Sequence, residues 1–371
     1  MPGRLAAVAL RGRIACSGPV ESFPLQLPMS LRSRLALAAS GARLRLAVAR
    51  YGRIAEPRPG EPAAERQARM LAFMDDRSFS EFIGRLPDDV DAVYRATLTR
   101  SSGEPEQLAA GYGIGYFHLV WNRSAGLSRN ILGGPGVLVE ALAAGVEGRI
   151  RLGAEAAEVV ADGDGVVVRY RQGGAERELR ARSAVVATPA FATRAIVAGL
   201  PAETAGALEA MRYGPYVVGA FLTGETGPMP WDGLYALATP GRSFSMLFNT
   251  ANVLRSHDGA RRAGGSLMVY AAADGARALA GLDDDEVRAR FRADLCAVFP
   301  EAEAVLSEVL VQRWERGLPY AAVGRGRLQA ALTRPLGRIH LAGDYLGTWY
   351  TETAAQTAEA AARAVRDELG R

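Results

Sequence analysis

The C-terminal part of the chain contains the feature that most constrains its fold. Residues 338–341 form a short apolar run that predicts a strand, and this run leads to Gly343 and Asp344. The Ala-rich run over residues 351–369 then predicts a long helix. A strand that leads through a glycine and an acid into a helix N-terminus places free backbone N–H groups near a carboxylate. Such a junction is suited to binding a polar or anionic ligand.

The composition describes an ordinary globular protein of 371 residues, with 49% hydrophobic and 23% charged residues. This length allows two domains or one large one. The formal net charge of +4 is small for a chain of this size, so no nucleic-acid partner is expected. Every basic residue other than histidine is an arginine. The absence of lysine excludes a lysine Schiff base and a lysine general base.

The sequence predicts neither a disulfide framework nor a metal site. Its two cysteines are Cys16 and Cys296, and its three histidines, His118, His257 and His340, have no metal-ligand spacing. Two isolated cysteines favour a reducing compartment, so a cytoplasmic location is expected. No run approaches the roughly 18 apolar residues that a membrane helix needs, so no transmembrane segment is expected.

Two parts of the chain are expected to form a helical front and a second sheet. The first third is predicted to be mainly helical, and Ser30 is expected to cap a helix over residues 31–48. Aromatic and β-branched runs within residues 216–314 predict strands around one long helix, which Asp283 is expected to cap. These runs indicate a second domain with its own sheet.

The middle of the chain has a different pattern. Residues 133–136, Gly-Gly-Pro-Gly, precede a short helix, and three strand-like runs within residues 156–181 predict an antiparallel meander. Residues 183–189 then predict a buried strand that ends in Ala187, Thr188 and Pro189. Each of these motifs is weak alone, but their order along the chain is informative.

In this order, together with Leu318-Pro319-Tyr320 and with Gly343-Asp344 before Glu352, the motifs resemble the flavin-containing amine oxidase and protoporphyrinogen oxidase superfamily. The resemblance implies an α/β fold with an α+β second domain. A discontinuous FAD/NAD(P)-binding-like domain would comprise residues 1–20, 126–205 and 315–371. A mixed-sheet and helical substrate domain would comprise residues 21–125 and 206–314.

Members of the superfamily normally open with a strand–GxGxxG–helix unit, and we find no such unit in this sequence. Gly111, Gly113 and Gly115 have the wrong spacing and no amphipathic helix after them. Residues 133–136 place a proline where free N–H groups are needed. We therefore expect the N-terminal βαβ unit to be missing, which leaves FAD binding open. A misplaced start, a homo-oligomer or partner chain that covers the gap, and loss of flavin are the alternatives.

The resemblance also implies roles for individual residues. The backbone at Ala156 would contact adenine, and Asp344 would hydrogen-bond the ribityl chain. The helix start would direct N–H groups to the flavin pyrimidine, where its positive end stabilises negative charge on the reduced ring. The implied cofactor-binding residues are Ala156, Ala187, Thr188, Gly343, Asp344, Glu352, Thr353 and Ala354. Trp349 and Tyr350 would form an aromatic wall at the substrate face of the flavin.

The expected function is FAD-dependent oxidation of a small-molecule substrate, in which a hydride passes from a substrate C–H to flavin N5. Valine occupies residues 217–218, in the strand where many amine oxidases carry a lysine, which favours the branch that resembles protoporphyrinogen oxidase. One alternative is a flavin-free or non-catalytic member of the fold that acts as a binding subunit. Another is a non-redox enzyme that uses the cleft of the substrate domain.

Overall fold

The computed structural model describes residues 7–18, 22–121, 131–252, 255, 261–348 and 350–370. Within these ranges the strands are β1 (Val8–Leu10), β2 (Arg13–Ala15), β3 (Ala154–Asp162), β4 (Gly165–Gln172), β5 (Ala175–Ala181), β6 (Ala184–Val186), β7 (Arg212–Thr223), β8 (Ala236–Ala238), β9 (Met246–Asn249), β10 (Gly265–Ala272), β11 (Leu306–Tyr320) and β12 (Ile339–Leu341).

The helices of the described ranges lie between or after these strands, and the first seven of them lie between β2 and β3. They are α1 (Phe23–Gln26), α2 (Leu31–Ala55), α3 (Ala63–Ala72), α4 (Phe79–Ile83), α5 (Asp88–Leu98), α6 (Ala110–Trp121), α7 (Gly136–Ala144), α8 (Ala190–Ile196), α9 (Ala202–Glu209), α10 (Asp274–Ala278), α11 (Asp284–Val298), α12 (Ala302–Val305), α13 (Gln329–Leu332) and α14 (Tyr350–Glu368). None of them is long and apolar enough to cross a membrane.

A seven-stranded sheet with the order β11-β7-β10-β9-β8-β1-β2 forms the largest layer. Side chains alternate between its two faces, as the pleat of a strand requires. Tyr216 on β7 packs into the core formed with helices α2 to α6, while its neighbour Val217 packs with Phe291 of α11. The sheet therefore lies between two helical layers and has an apolar core on each face.

The first strand pair belongs to this sheet. Val8 of β1 pairs in parallel with Ala238 of β8, and the N–H of Ala238 donates to the carbonyl of Ala7 at 2.9 Å. Strand β8 lies in the range predicted for the substrate domain, and the prediction that residues 1–20 join the FAD-type domain stays a prediction. The other expected domain boundaries stay predictions.

Helix α6 contains the three glycines whose spacing excluded a nucleotide-binding turn. Nearly all of its residues are buried, so it has no polar face and shows no amphipathic period in the sequence. The glycines allow close packing: a Cβ at Gly111 would lie 1.6 Å from the Phe73 carbonyl oxygen, and one at Gly113 would lie 2.5 Å from the Phe79 ring. The segment is itself a core helix, which the sequence pattern did not predict.

Two smaller sheets lie beside the large one. Strands β3, β4 and β5 form the predicted antiparallel meander. Strands β6 and β12 pair in parallel, with Leu341 opposite Val186. Helix α7 buries none of its side chains, and Val139 and Leu142 are each 66% exposed. The absence of an N-terminal βαβ unit stays a prediction.

Candidate functional site

The carboxyl ends of β6 and β12 bring two predicted segments together. Because the strands are parallel, Thr188 and Asp344 both follow their strands at the same edge of the sheet. The N–H of Ala342 donates to the carbonyl of Val186 at 3.0 Å and extends the pairing to this edge. Ligands of parallel α/β sheets bind at such an edge, so these two residues stay candidates for a ligand site.

Helix α14 is fixed against this edge through Thr357. The hydroxyl oxygen of Thr357 accepts the N–H of Gly343 at 3.0 Å, and the hydroxyl lies 2.9 Å from the carbonyl oxygen of Thr353. Gly343 has φ of 149°, and a Cβ there would lie 2.8 Å from the ring of Tyr345. The glycine is therefore needed for both the backbone angle and the close approach of Tyr345.

Asp344 is a part-buried carboxylate at the start of this segment. Burial raises its pKa above the ordinary value, although the backbone N–H groups of Tyr345 and Asp344 itself hydrogen-bond to it and oppose the shift. No arginine contributes to this shift. The carboxylate thus has acceptor capacity for hydroxyl groups of a ligand.

A small polar cavity lies behind Asp344. Asp344, Arg325 and Tyr350 line it, and its volume is about 10 Å³. Arg325 is 4% exposed and donates from Nη2 to the carbonyl of Tyr345 at 2.7 Å, while its Nη1 has no hydrogen-bond partner within the described residues. Burial lowers the pKa of Arg325 to about 10. A cavity of this size holds about one water molecule.

Tyr350 lines this small cavity. Burial raises the pKa of Tyr350 to about 12, and Ser101 and Tyr112 lie close enough to oppose this shift. Its φ of 45° is left-handed, which is uncommon for a residue with a bulky side chain. Trp349, the other residue predicted for the aromatic wall, lies outside the described residues.

A larger apolar cavity lies between the helical layer and the large sheet. It has a volume of about 450 Å³ and is bounded by α1, α2, α5, α6 and strands β1, β8 and β9. Arg100 and Tyr116 line it, and both lie close enough to Tyr350 to influence its pKa. The sequence analysis missed this cavity and Arg100, because nothing in the sequence distinguishes this arginine from the others.

The remaining predicted residues take varied positions. Ala156 lies exposed on β3 at a bulge in its pairing with β4. Ala187 is exposed, and Glu352 is exposed and accepts from Gln356 at 2.8 Å. Thr353 is fully buried and Ala354 is part-buried in the first turns of α14. The structure therefore brings Thr188, Gly343, Asp344 and the start of α14 together, while Ala156 lines neither of the two cavities described above.

Residues 4–366 match the sequence profile of the flavin containing amine oxidoreductase family. This match spans nearly the whole chain, and the protein belongs to that family. It is accordingly a flavin-dependent oxidoreductase, and the alternative of a flavin-free binding subunit is not favoured. No curated protein sequence matches the chain significantly.

Solved structures agree with this assignment at the level of the fold. Wild-type putrescine oxidase bound to putrescine superposes with a TM-score of 0.73 and 17% identity, over 100% of this chain and 82% of that chain. Cyclohexylamine oxidase from Brevibacterium oxydans IH-35A superposes with a TM-score of 0.71 and 18% identity, over 100% of this chain and 82% of that chain. At these identities the likeness shows a shared fold.

The described residues fit one part of a flavin and not another. The carboxylate of Asp344, the nearby Thr188 and the start of α14 supply acceptors and donors of the kind that a ribityl chain requires. The cavity between Asp344 and Tyr350, at about 10 Å³, does not fit the flavin ring.

Proposed function

We propose that this chain is an FAD-dependent oxidoreductase that oxidises a C–H bond of a small, largely apolar substrate. The observation that carries the proposal is the position of Tyr350. Its side chain lines the small cavity of Asp344, where the ribityl chain would bind, and it lies close enough to Arg100 and Tyr116 of the 450 Å³ cavity for both to influence its pKa. Substrate and flavin would therefore meet at this tyrosine.

The proposed cofactor contacts follow from the sheet edge. Asp344 accepts hydroxyl groups of the ribityl chain, while Gly343 and the segment Ala187-Thr188 allow close approach of the backbone. The first turn of α14, with Glu352, Thr353 and Ala354, directs its N–H groups to the pyrimidine end. The backbone of Ala156 contacts adenine. These contacts are supported by the shared edge of β6 and β12, by the fixed position of α14 and by the family.

The flavin supplies the redox chemistry when bound, as an acceptor of a hydride at N5. The chain itself positions the substrate and excludes water. No carboxylate, histidine or lysine lines the apolar cavity in the part of the chain that the structure describes. The proposed role of Tyr350, with Trp349, is therefore that of a wall that orients the substrate, and not that of a general base.

The absence of lysine distinguishes this site from that of a standard amine oxidase. Val218 on β7 packs against the helical core, in the strand where many amine oxidases carry a lysine. This supports an oxidation that needs no such lysine, as in the branch that resembles protoporphyrinogen oxidase. The oligomeric state and any partner chain remain predictions.

Anaerobic reduction of the bound flavin tests this proposal. The protein is loaded with FAD and mixed, without oxygen, with a panel of apolar amines, apolar carboxylates and hydrophobic alkenes. Loss of the oxidised flavin absorbance with at least one compound is expected, and reoxidation should follow when an acceptor is admitted. A bound flavin that stays oxidised with every compound of the panel would contradict the proposed C–H oxidation.

A further inference from the structure

The apolar cavity contains an arginine that no acid of its lining neutralises. Arg100 lies in the short 3-10 turn Thr99–Ser101 that follows α5, and its side chain lines the 450 Å³ cavity. The volume lies in the range of roughly 300–1,000 Å³ that small-molecule sites occupy. Apart from Arg100 and the exposed Arg45, the described lining consists of uncharged residues, most of them alkyl or aromatic.

The partners of Arg100 are aromatic. Its guanidinium carbon lies 4.7 Å from the centre of the Phe248 ring, and the guanidinium lies close enough to Tyr116 to oppose the rise that burial causes in the pKa of that tyrosine. No aspartate or glutamate of the described ranges lies within ion-pair distance of it. Since a guanidinium keeps its proton at ordinary pH, Arg100 is a permanent cation in an apolar lining.

Two other part-buried arginines of this chain have acidic partners. Arg95, on the same helix-turn segment, lies 2.7 Å from Glu104 and 2.8 Å from Glu106. Arg255 lies 2.7 Å from Asp232 and also pairs with Glu225. A cation in an apolar environment is costly unless an anion accompanies it. The cavity therefore offers a site at which an anionic group of a ligand would be favoured.

The cation lies near a group of tyrosines. Tyr116, Tyr270 and Tyr350 all lie close enough to Arg100 to influence it electrostatically. Arg45 lies at the exposed side of the cavity, 5.7 Å from the centre of the Trp121 ring. A ligand would thus place its charged group deep in the protein and its apolar body along α2 and α6.

We propose that this cavity binds an anionic amphiphile, with Arg100 as the anchor of a carboxylate and the apolar lining as the site of the hydrocarbon body. An alkylammonium ion would meet two guanidinium groups and no carboxylate there, so the same site selects against protonated amines. This inference rests on the proposed function, since it names the substrate class of the proposed oxidation. Arg100 is a specificity-determining residue in this account.

Titration calorimetry with three probes of equal chain length tests the proposal. Decanoate, decanol and decylamine are titrated near neutral pH, below their micelle concentrations, into the purified protein. We expect decanoate to bind about tenfold or more tightly than decylamine, because a charged hydrogen-bonded pair forms with only one of them. Equal or tighter binding of decylamine would overturn the proposal. This comparison needs only the unmodified protein.

Substitution of Arg100 then tests whether this residue binds the carboxylate. Arg100→Gln should weaken decanoate binding about tenfold or more and leave decanol binding within about twofold, while Arg100→Lys should retain part of the preference for the anion. Arg53→Gln makes the same change in net charge at an exposed position of α2 outside the cavity, and it should leave all three affinities unchanged. Retention of the anion preference in Arg100→Gln would contradict the assignment of Arg100 as the anchor.

The test separates this inference from the proposed function. Calorimetry records ligand binding whether or not flavin is present, whereas the proposed function is tested by reduction of bound flavin. If the flavin is reduced but decanoate is not preferred, only the proposal that Arg100 anchors a carboxylate is wrong. If decanoate is preferred but the bound flavin is never reduced, the proposed oxidation is wrong and the cavity is a binding site for carboxylates.

Discussion

Tyr350 shows how a single residue can hold the site in its closed arrangement. Its backbone is left-handed, which costs of order 1–3 kcal/mol for a residue other than glycine. Its hydroxyl is buried near Ser101 and Tyr112, which lie on the helical front, and this packing holds the strained backbone in place.

The buried tyrosines predict a loss of stability in alkaline solution. Burial raises the pKa of Tyr350 and of Tyr345 from 10 to about 12, so the folded state holds these protons more tightly than the unfolded state. Their contribution is complete below pH 10 and is lost as the pH rises through about 12. Between pH 9 and pH 12, the free energy of unfolding measured in urea should decline by about 1–3 kcal/mol less in Tyr350→Phe than in the wild type. An unchanged pH dependence in this variant would contradict the account.

A single methyl group added at Gly111 is expected to lower the stability of the protein strongly. In Gly111→Ala the new Cβ would lie 1.6 Å from the Phe73 carbonyl oxygen, so the backbone of α6 or of the facing segment must shift. We expect the free energy of unfolding to fall by about 2–4 kcal/mol in urea denaturation.

Gly206→Ala is the matched control for this substitution. Gly206 lies inside helix α9, and a Cβ there would meet no atom within 4 Å. It should stabilise the protein by about 0.5–1 kcal/mol, because alanine favours the helix. Equal effects of the two substitutions would contradict the packing described for α6.

At the scale of elements, local signals were sufficient where the structure is local. The meander β3-β4-β5 and the helix caps at Ser30 and Asp283 were predicted and are confirmed, because turns and caps depend on a few neighbouring residues. Helix α6 was not predicted, since a helix that is buried all round has no polar face. The pairing of β1 with β8 joins residues that are far apart in the sequence, and no local pattern reports it.

For the candidate site too, local sequence signals could report only the part whose residues follow one another in the chain. The sequence located Asp344 and the start of α14, because a strand, a glycine, an acid and a helix follow one another there. The apolar cavity could not be predicted, since α1, α2, α5, α6 and the large sheet contribute to it from separate parts of the chain. Arg100 is one of 44 basic residues, and only the structure shows that it lies among aromatic partners.

The N-cap of α11 gives a test at this scale. The Asp283 side chain accepts the N–H of Glu286 at 2.8 Å, and the Glu286 side chain accepts the N–H of Asp283 at 3.0 Å. Asp283→Ala should lower the free energy of unfolding by about 1–2 kcal/mol in thermal or urea denaturation. Asp367→Ala removes an exposed acid from the last turn of α14 and should change stability by less than about 0.5 kcal/mol. An Asp283→Ala protein whose free energy of unfolding equals that of the wild type would contradict the stabilising role of the capping box.

For the whole molecule, two groups of elements near Tyr350 would bind the cofactor and the substrate separately. The parallel pair β6 and β12 with α14 forms the side that would bind the cofactor, and the large sheet with the helices α1 to α6 forms the side that would bind the substrate. Both sides are present in the described chain, although the cavity beside Asp344 is closed. The fold therefore accounts for a flavin-dependent oxidoreductase.

The visible absorption spectrum of the purified protein after incubation with excess FAD and gel filtration tests this account most directly. We predict flavin bands that elute with the protein, and binding that is about tenfold or more weaker in Asp344→Ala, because the ribityl hydroxyl groups lose their acceptor. Glu359→Ala, an exposed change on α14, should bind FAD as the wild type does. A wild-type protein that stays colourless after this treatment would contradict the central claim.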